Sequence, residues 1–316
     1  MEIETPVMYD VEHPALKSYV NRFPARQYVV ETPNKKTFLR FSACFGQFLT
    51  VHDMNISYRH IPLKVYELTR YSFRRALSGA VWGLRRLRAF TMPDVHAFCA
   101  DIGQAKQEMV RRMRLSREVL RDIGLDRDDY ELGIRFTKDF YEENGEFVRS
   151  LVKEFGKPAL VEIWNERFFY FVMKWEFNFV DNLDKASALS TDQIDIENAK
   201  RYDIAFTDEK GERRYPIILH CSPSGAIERD IWALLEKAYK EEKMGRKPSL
   251  PLWLAPTQVR VLPVSDEFIE GAKQLAQALQ EGNVRVDIDD RAESVEKRVR
   301  QAETEWINYG VVFGRR

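Results

Sequence analysis

The chain has 316 residues, 44% of them hydrophobic and 12% aromatic, enough for about two domains with substantial cores. Its 49 basic and 49 acidic residues give no steer toward nucleic acid, so any RNA contact must use local basic patches. Three scattered cysteines argue against a disulfide framework and fit a reducing, cytoplasmic setting, and no apolar run reaches the ~20 residues of a membrane helix.

The opening MEIETPVMYD lacks the apolar core of a signal peptide and reads as the tail of a strand that ends near Pro6. Both ends look cut, because no helix precedes Met1 to Met8 and INYGVVFGRR stops just after an apolar strand. Thr37 to Phe41 alternates as a strand, and Ala43 to Asp53 looks helical, with Cys44 at the junction. A lone cysteine is usually a small buried hydrophobe. Lys64 to Cys99 reads as two long strands, Val65 to Arg75 and Leu84 to Cys99, joined by a Ser-Gly loop. On the second, Arg86, Arg88, Phe90, Met92, Asp94, His96 and Phe98 share parity and should project to one side. Guanidiniums, a ring, a carboxylate and an imidazole make an unusual face to bury; a solvated antiparallel face is the plain alternative. Pro93 requires an edge or a bulge.

Asp101 to Ile123 is predicted as a helix carrying Arg111, Arg112, Arg114, Arg117 and Arg121, either a solvated face or a phosphate contact. Glu131 to Phe136 reads as a strand and Glu143 to Phe155 as a helix; Leu160 to Trp164, Phe168 to Asn178, Ala188 to Ile196 and Arg201 to Thr207 read as strands. Arg214 to Cys221 is a strand ending in His220, then Ser222 to Gly225 turns into a helix over Ala226 to Lys243. Ile227, Ile231, Leu234, Leu235 and Ala238 form its apolar stripe. Arg229 in its first turn suits an anion, because exposed amides and the macrodipole add to the guanidinium charge, although a plain surface arginine would look the same. Met244 to Ser249 is a linker. Beyond it, PLWLAPTQVRVLPV, Ser265 to Gly282, Val284 to Ile288, Ser294 to Trp306 and Tyr309 to Phe313 alternate as βαβαβ.

An arginine at the end of one strand, a loop, and R-x-R-x-F on the next resembles motif 2 of the class II aminoacyl-tRNA synthetases. Glu4 to Met8 is similar to the end of motif 1, and the Gly-Ala-Ile-Glu-Arg helix start resembles motif 3. FTMPDVHAFC is more specific and resembles the threonyl-tRNA synthetases, with TMPDVH and YSFRR closest to archaeal members. WLAPTQV with DDRAESVEKRVR resembles the anticodon-binding domain that threonyl, prolyl, histidyl and glycyl synthetases share. The resemblance implies an α+β fold: residues 1–248 a class II antiparallel sheet flanked by helices, residues 249–316 a small α/β anticodon-binding domain.

It also implies threonine activation by ATP and transfer to tRNA(Thr) in a homodimer without membrane contact. Cys44, His96 and His220 would hold Zn²⁺, three protein ligands leaving an open position. That metal would grip the threonine hydroxyl that valine lacks, a distinction an apolar pocket makes poorly. Asp94 would accept from the hydroxyl. Arg74 would meet the α-phosphate, Arg229 the γ-phosphate and Arg86 would assist, with Mg²⁺ accompanying ATP. Phe90 would stack on adenine, Gln193 would contact substrate, and Lys174 would reach ATP or tRNA. Arg291, Glu293, Lys297 and Arg298 match the anticodon-reading loop and helix; a solvated charged helix is the alternative. Two departures stand out: Ala76 where motif 2 carries an acid, and Ser-Ala-Cys-Phe-Gly around Cys44. No proofreading domain precedes the catalytic part, so mischarged serine would be cleared by a separate editing protein. The rival readings are a seryl or prolyl synthetase of the same subclass, and a non-catalytic tRNA-binding paralogue.

Overall fold

The computed structural model describes residues 1–20, 27–71, 73–75 and 79–315, with nothing said of the side chains of residues 18 and 19. The departure expected at Ala76 lies outside the described residues. The chain divides into two compact units, Met1–Ala233 and Leu234–Arg316.

In the first unit, β1 (Met8–Asp10), α1 (Pro14–Val20), β2 (Val29–Glu31) and β3 (Lys36–Leu39) precede helix α2 (Cys44–His52). Strands β4 (Leu63–Tyr71) and β5 (Phe90–Cys99) follow, then helix α3 (Ile102–Asp122). Next come β6 (Tyr130–Thr137), α4 (Lys138–Phe155), β7 (Ala159–Trp164), β8 (Phe171–Val180), β9 (Ala186–Asp195), α5 (Asn198–Arg201), β10 (Phe206–Thr207), β11 (Arg213–Arg214) and β12 (Ile217–Ser222). Helix α6 (Ile227–Lys243) runs into the second unit, which holds β13 (Val259–Pro263), α7 (Ile269–Glu281), β14 (Val286–Ile288), α8 (Val295–Thr304) and β15 (Tyr309–Phe313). Its sheet, ordered β14-β13-β15, is parallel throughout, as βαβ crossovers require.

The main sheet of the first unit has seven strands in the order β4-β5-β12-β9-β8-β6-β7, antiparallel except for β6 beside β7. Helix α3 packs on one face, its start fixed by Asp101, whose carboxylate accepts the Gln104 amide at 2.8 Å. Helix α2 packs on the other, where Phe48 meets the rings of His96 and His220 edge-on. Directly opposed residues of a ladder share a face. The registers therefore lay Val65, His96, His220, Gln193, Lys174 and Arg135 in one transverse row across six strands.

Several expectations need correction. The second strand starts at Phe90, because Trp82 and Arg86 close a tight turn over 83–85 with mutual backbone bonds and 87–89 are irregular; the parity face holds from Phe90 onward. Arg86 is exposed, whereas Arg85 reaches Asp181 at 3.2 Å and Ser187 at 2.6 Å. Pro93 sits where β5 has outrun β12, whose ladder covers only Val95–Cys99, so an edge and not a bulge admits it. Arg201–Thr207 is no strand: α5 occupies 198–201 and only Phe206–Thr207 pairs. Pro216 splits 214–221, leaving β12 to begin at Ile217. In 251–264 only Val259–Pro263 is strand. Of the predicted stripe of helix α6, Leu234 and Ala238 are buried, but Ile227, Ile231 and Leu235 are 39–46% exposed, and Trp232 and Ala233 are buried in addition.

The arginine run of α3 is not a uniform solvated face. Arg112 is buried, donating to Val95 O at 2.5 Å and facing Asp192 at 3.4 Å, while Arg114 and Arg117 engage Glu154.

Residues 5, 40 and 67 lock the first strands together. Arg40, fully buried, donates to Thr5 Oγ1 at 2.7 Å, Glu67 Oε1 at 2.9 Å and Thr69 Oγ1 at 2.5 Å. Removing one member of such a pair strands a buried charge, at a cost of about 3–5 kcal/mol. Arg40→Met should lower the unfolding free energy of the first unit by that much, read as a fall in the denaturant midpoint at unchanged slope; an unmoved midpoint would refute it.

Candidate functional site

The centre of the row carries a trio of metal-ligating side chains. Cys44 opens helix α2, His96 lies in β5 and His220 in β12, so three distant segments meet only because the ladder and the helix bring them together. Cys44 Sγ lies 3.1 Å from His96 Nε2 and 3.4 Å from His220 Nδ1, and the two nitrogens are 3.0 Å apart. Tetrahedral zinc with bonds of about 2.0–2.3 Å places its donors about 3.3–3.6 Å apart, so a slight opening of this triangle receives the ion. The donor set, one sulfur and two nitrogens, is compatible with zinc.

Burial sets the protonation of these groups. It pushes the Cys44 thiol well above its ordinary value, with the Asp94 carboxylate adding to the effect. It pulls His96 well below its ordinary value, with His220 adding to that. A neutral imidazole is ready to ligate, and the thiol must give up its proton as a metal binds.

Behind the trio stand two acceptors that sequence reasoning missed. Gln47 Oε1 lies 2.7 Å from His96 Nδ1, and Asp195 Oδ2 lies 2.8 Å from His220 Nε2. Their signals were present: Gln47 is three residues after Cys44 on the same helix face, and Asp195 shares strand parity with Gln193.

A cavity of about 510 Å³ opens beside the trio, and Cys44, His220, Asp94, Gln193, Lys174 and Arg229 all line it. Burial, reinforced by Glu67 opposite on β4, pushes the Asp94 carboxyl up to about 7 against the pull of Arg112 and Arg40. Tyr170, another residue missed, donates to Gln193 Oε1 at 2.7 Å and lays its ring 4.9 Å from that of His220. Lys174 pairs with Glu176 at 2.6 Å.

The far wall is cationic. Arg74 and Phe90 line it, and the Arg229 guanidinium sits 4.8 Å over the Phe90 ring, donating to Arg85 O at 3.0 Å and Ala188 O at 3.1 Å. Burial, and then the nearby charges of Arg74, Arg85 and Arg86, pull Arg229 below the ordinary arginine value. Like charges gathered in this way call for a polyanion. Arg86 does not line this cavity; with Arg229 it borders a larger adjoining cleft of about 1350 Å³. Glu228, beside Arg229, accepts the Thr91 amide at 2.9 Å and ties the helix start to β5.

In the second unit, Arg291, Glu293 and Arg298 border a cavity of about 270 Å³. Arg291 is paired with Asp289 at 2.6 Å, and Lys297 with Glu293 at 2.7 Å. Arg298 differs from expectation: only 4% exposed, it donates to Asp289 O at 2.5 Å and Pro263 O at 2.7 Å, and so braces the loop from beneath.

Among known proteins, residues 28–238 match the family described as tRNA synthetase class II core domain (G, H, P, S and T), and residues 258–316 match the anticodon binding domain. The chain is 61% identical over 313 residues to the threonine–tRNA ligase of Nitrosopumilus maritimus, and 61% identical over 314 residues to that of Pyrococcus horikoshii. In each case 99% of this chain aligns, yet it spans about half (50%) of the relative's length. In fold it is similar to a Cryptosporidium parvum structure described as the RNA binding domain of threonyl-tRNA synthetase, with a TM-score of 0.83, 23% identity and coverage of 99% of this chain and 77% of that one. It is also similar to the prolyl-tRNA synthetase of the same organism, with a TM-score of 0.72, 17% identity and coverage of 98% and 58%. The chain belongs to the class II tRNA synthetase core family, the branch that takes in the G, H, P, S and T enzymes.

Proposed function

We propose that this chain carries the aminoacylation chemistry of a threonine–tRNA ligase: activation of L-threonine by ATP to threonyl-adenylate, then transfer to tRNA(Thr). The convergence of Cys44, His96 and His220 on one point beside Asp94 carries the reading. When bound there, Zn²⁺ would take the amino and hydroxyl groups of threonine as ligands and so reject valine.

The remaining work falls to the chain's own side chains. Asp94 accepts from the substrate hydroxyl, and Gln193, held by Tyr170, orients the substrate. The threonine carboxylate attacks the α-phosphorus of ATP and pyrophosphate leaves; positioning and charge neutralisation lower the barrier. Arg74 meets the α-phosphate. Arg229 covers the nucleotide from the face opposite Phe90 and reaches the γ-phosphate; adenine enters between the two, in the space their contact now closes. Arg86 assists from the adjoining cleft, Mg²⁺ accompanies ATP, and Lys174 reaches ATP or tRNA. Arg291, Glu293 and Lys297 meet anticodon bases while Arg298 supports their loop. The two domains divide at 248/249. The working form is a cytoplasmic homodimer. No described helix is long and apolar enough to cross a membrane.

ATP–pyrophosphate exchange across amino acids tests the reading. Threonine should support exchange; exchange with serine or proline but not threonine refutes it. Cys44→Ser should abolish zinc content and threonine-dependent exchange together while ATP still binds, and retained zinc would remove Cys44 from the ligand set. Arg229→Ala should slow exchange by about 10²–10³-fold at undiminished zinc content; a loss of zinc in that variant would mean that it disturbs the fold.

A further inference from the structure

We infer that Gln47 and Asp195 are positioning residues that lock the two imidazoles into opposite tautomers, so that His96 offers Nε2 and His220 offers Nδ1 to the same ion. The inference rests on the zinc reading and extends it to residues outside the ligand set.

The hydrogen-bond directions follow from groups with only one role. The Gln47 side chain is completely buried, and its Nε2 lies 3.3 Å from the carbonyl oxygen of Asp94. A carbonyl only accepts, so the amide nitrogen must face it, which turns Gln47 Oε1 toward His96. That oxygen also only accepts, so the proton of His96 sits on Nδ1, and the lone pair is on Nε2. Asp195, 1% exposed, reaches the same end by a different route. Its Oδ1 accepts the amides of Glu197 at 2.8 Å and Asn198 at 3.0 Å, and its Oδ2 accepts Asn198 Nδ2 at 2.7 Å. Held by these three donors, the carboxylate accepts from His220 Nε2 and leaves the lone pair on Nδ1.

The consequence is an arrangement that needs a cation. His96 Nε2 and His220 Nδ1 face each other at 3.0 Å, lone pair toward lone pair, with Cys44 sulfur 3.1 and 3.4 Å away. Without positive charge between them the nitrogens repel; a metal at the centre turns the same geometry into three bonds. Helix α2 thus supplies one ligand, Cys44, and through Gln47 the orientation of a second. Strand β9 orients the third through Asp195, two residues beyond Gln193 on the same face.

The test uses the zinc-loaded chain labelled with ¹⁵N-histidine, whose five histidines give a resolvable set. Two-bond ¹H–¹⁵N spectra should show His96 protonated on Nδ1 and His220 on Nε2. Gln47→Leu should weaken zinc binding, measured by competition with a chromophoric chelator, by about 10–100-fold, and Gln47→Glu, which keeps the acceptor, should restore most of it. One zinc per chain with the opposite tautomers, or undiminished affinity in Gln47→Leu, overturns the inference and leaves the zinc reading standing. A parent chain that takes up no zinc overturns both. The tautomer spectra come from the unmodified chain, so they decide the matter even if Gln47→Leu fails to fold.

Discussion

The chemistry of this molecule depends on the register of one antiparallel ladder. His96, His220, Gln193 and Lys174 are neighbours only because β5, β12, β9 and β8 are aligned residue for residue. A slip of one residue in any of them would turn its side chain to the α3 face. Several anchors oppose such a slip. Arg112 reaches through from α3 to Val95 O and Asp192, clamping β5 to β9 from behind the site. Glu228 caps the Thr91 amide at the start of β5. Gly225, at φ +83°, lies so close to β9 that a Cβ would meet Leu189 O at 2.5 Å, so the turn after β12 admits nothing larger.

The cavity over this ladder joins two electrostatic halves that would be unstable apart. At one end burial works against charge on both Cys44 and His96; at the other, arginines crowd until burial and mutual repulsion pull Arg229 down. Each end suits a ligand of its own kind, a cation between Cys44 and the imidazoles and a polyanion among the guanidiniums. Asp94 lies between them and carries a carboxyl that burial and Glu67 raise to about 7.

What could be read from the sequence was what local pattern and motif encode. The parity of Phe90, Met92, Asp94, His96 and Phe98 was legible because a regular strand forces it, and the αβ alternation of the second unit was legible from period alone. The trio was named through resemblance, since no spacing joins positions 44, 96 and 220. Local pattern misled where tertiary packing outvoted it. Helix α6 has apolar residues around much of its circumference, and the sequence cannot say which side is covered; Trp232 and Ala233, outside the predicted stripe, went inward, and Ile227 and Ile231 outward. The basic stripe of α3 hid Arg112, whose burial depends on Asp192, a residue eighty positions away.

The same fold serves enzymes for glycine, histidine, proline, serine and threonine, so the sheet does not choose the amino acid. Choice has to come from the side chains that the ladder displays at its centre, and from how rigidly they are held. A ring free to flip between tautomers would offer a lone pair only part of the time and would grip a metal loosely. Here Gln47 is pinned by a backbone carbonyl and Asp195 by three donors of α5 and its start, so the freedom of both imidazoles is removed by groups that never touch a substrate. On the proposed reading, discrimination between a hydroxyl and a methyl would depend on Gln47 and Asp195 as well as on the ligands themselves. It reaches the helix that follows β9 and the turn of α2 that follows Cys44.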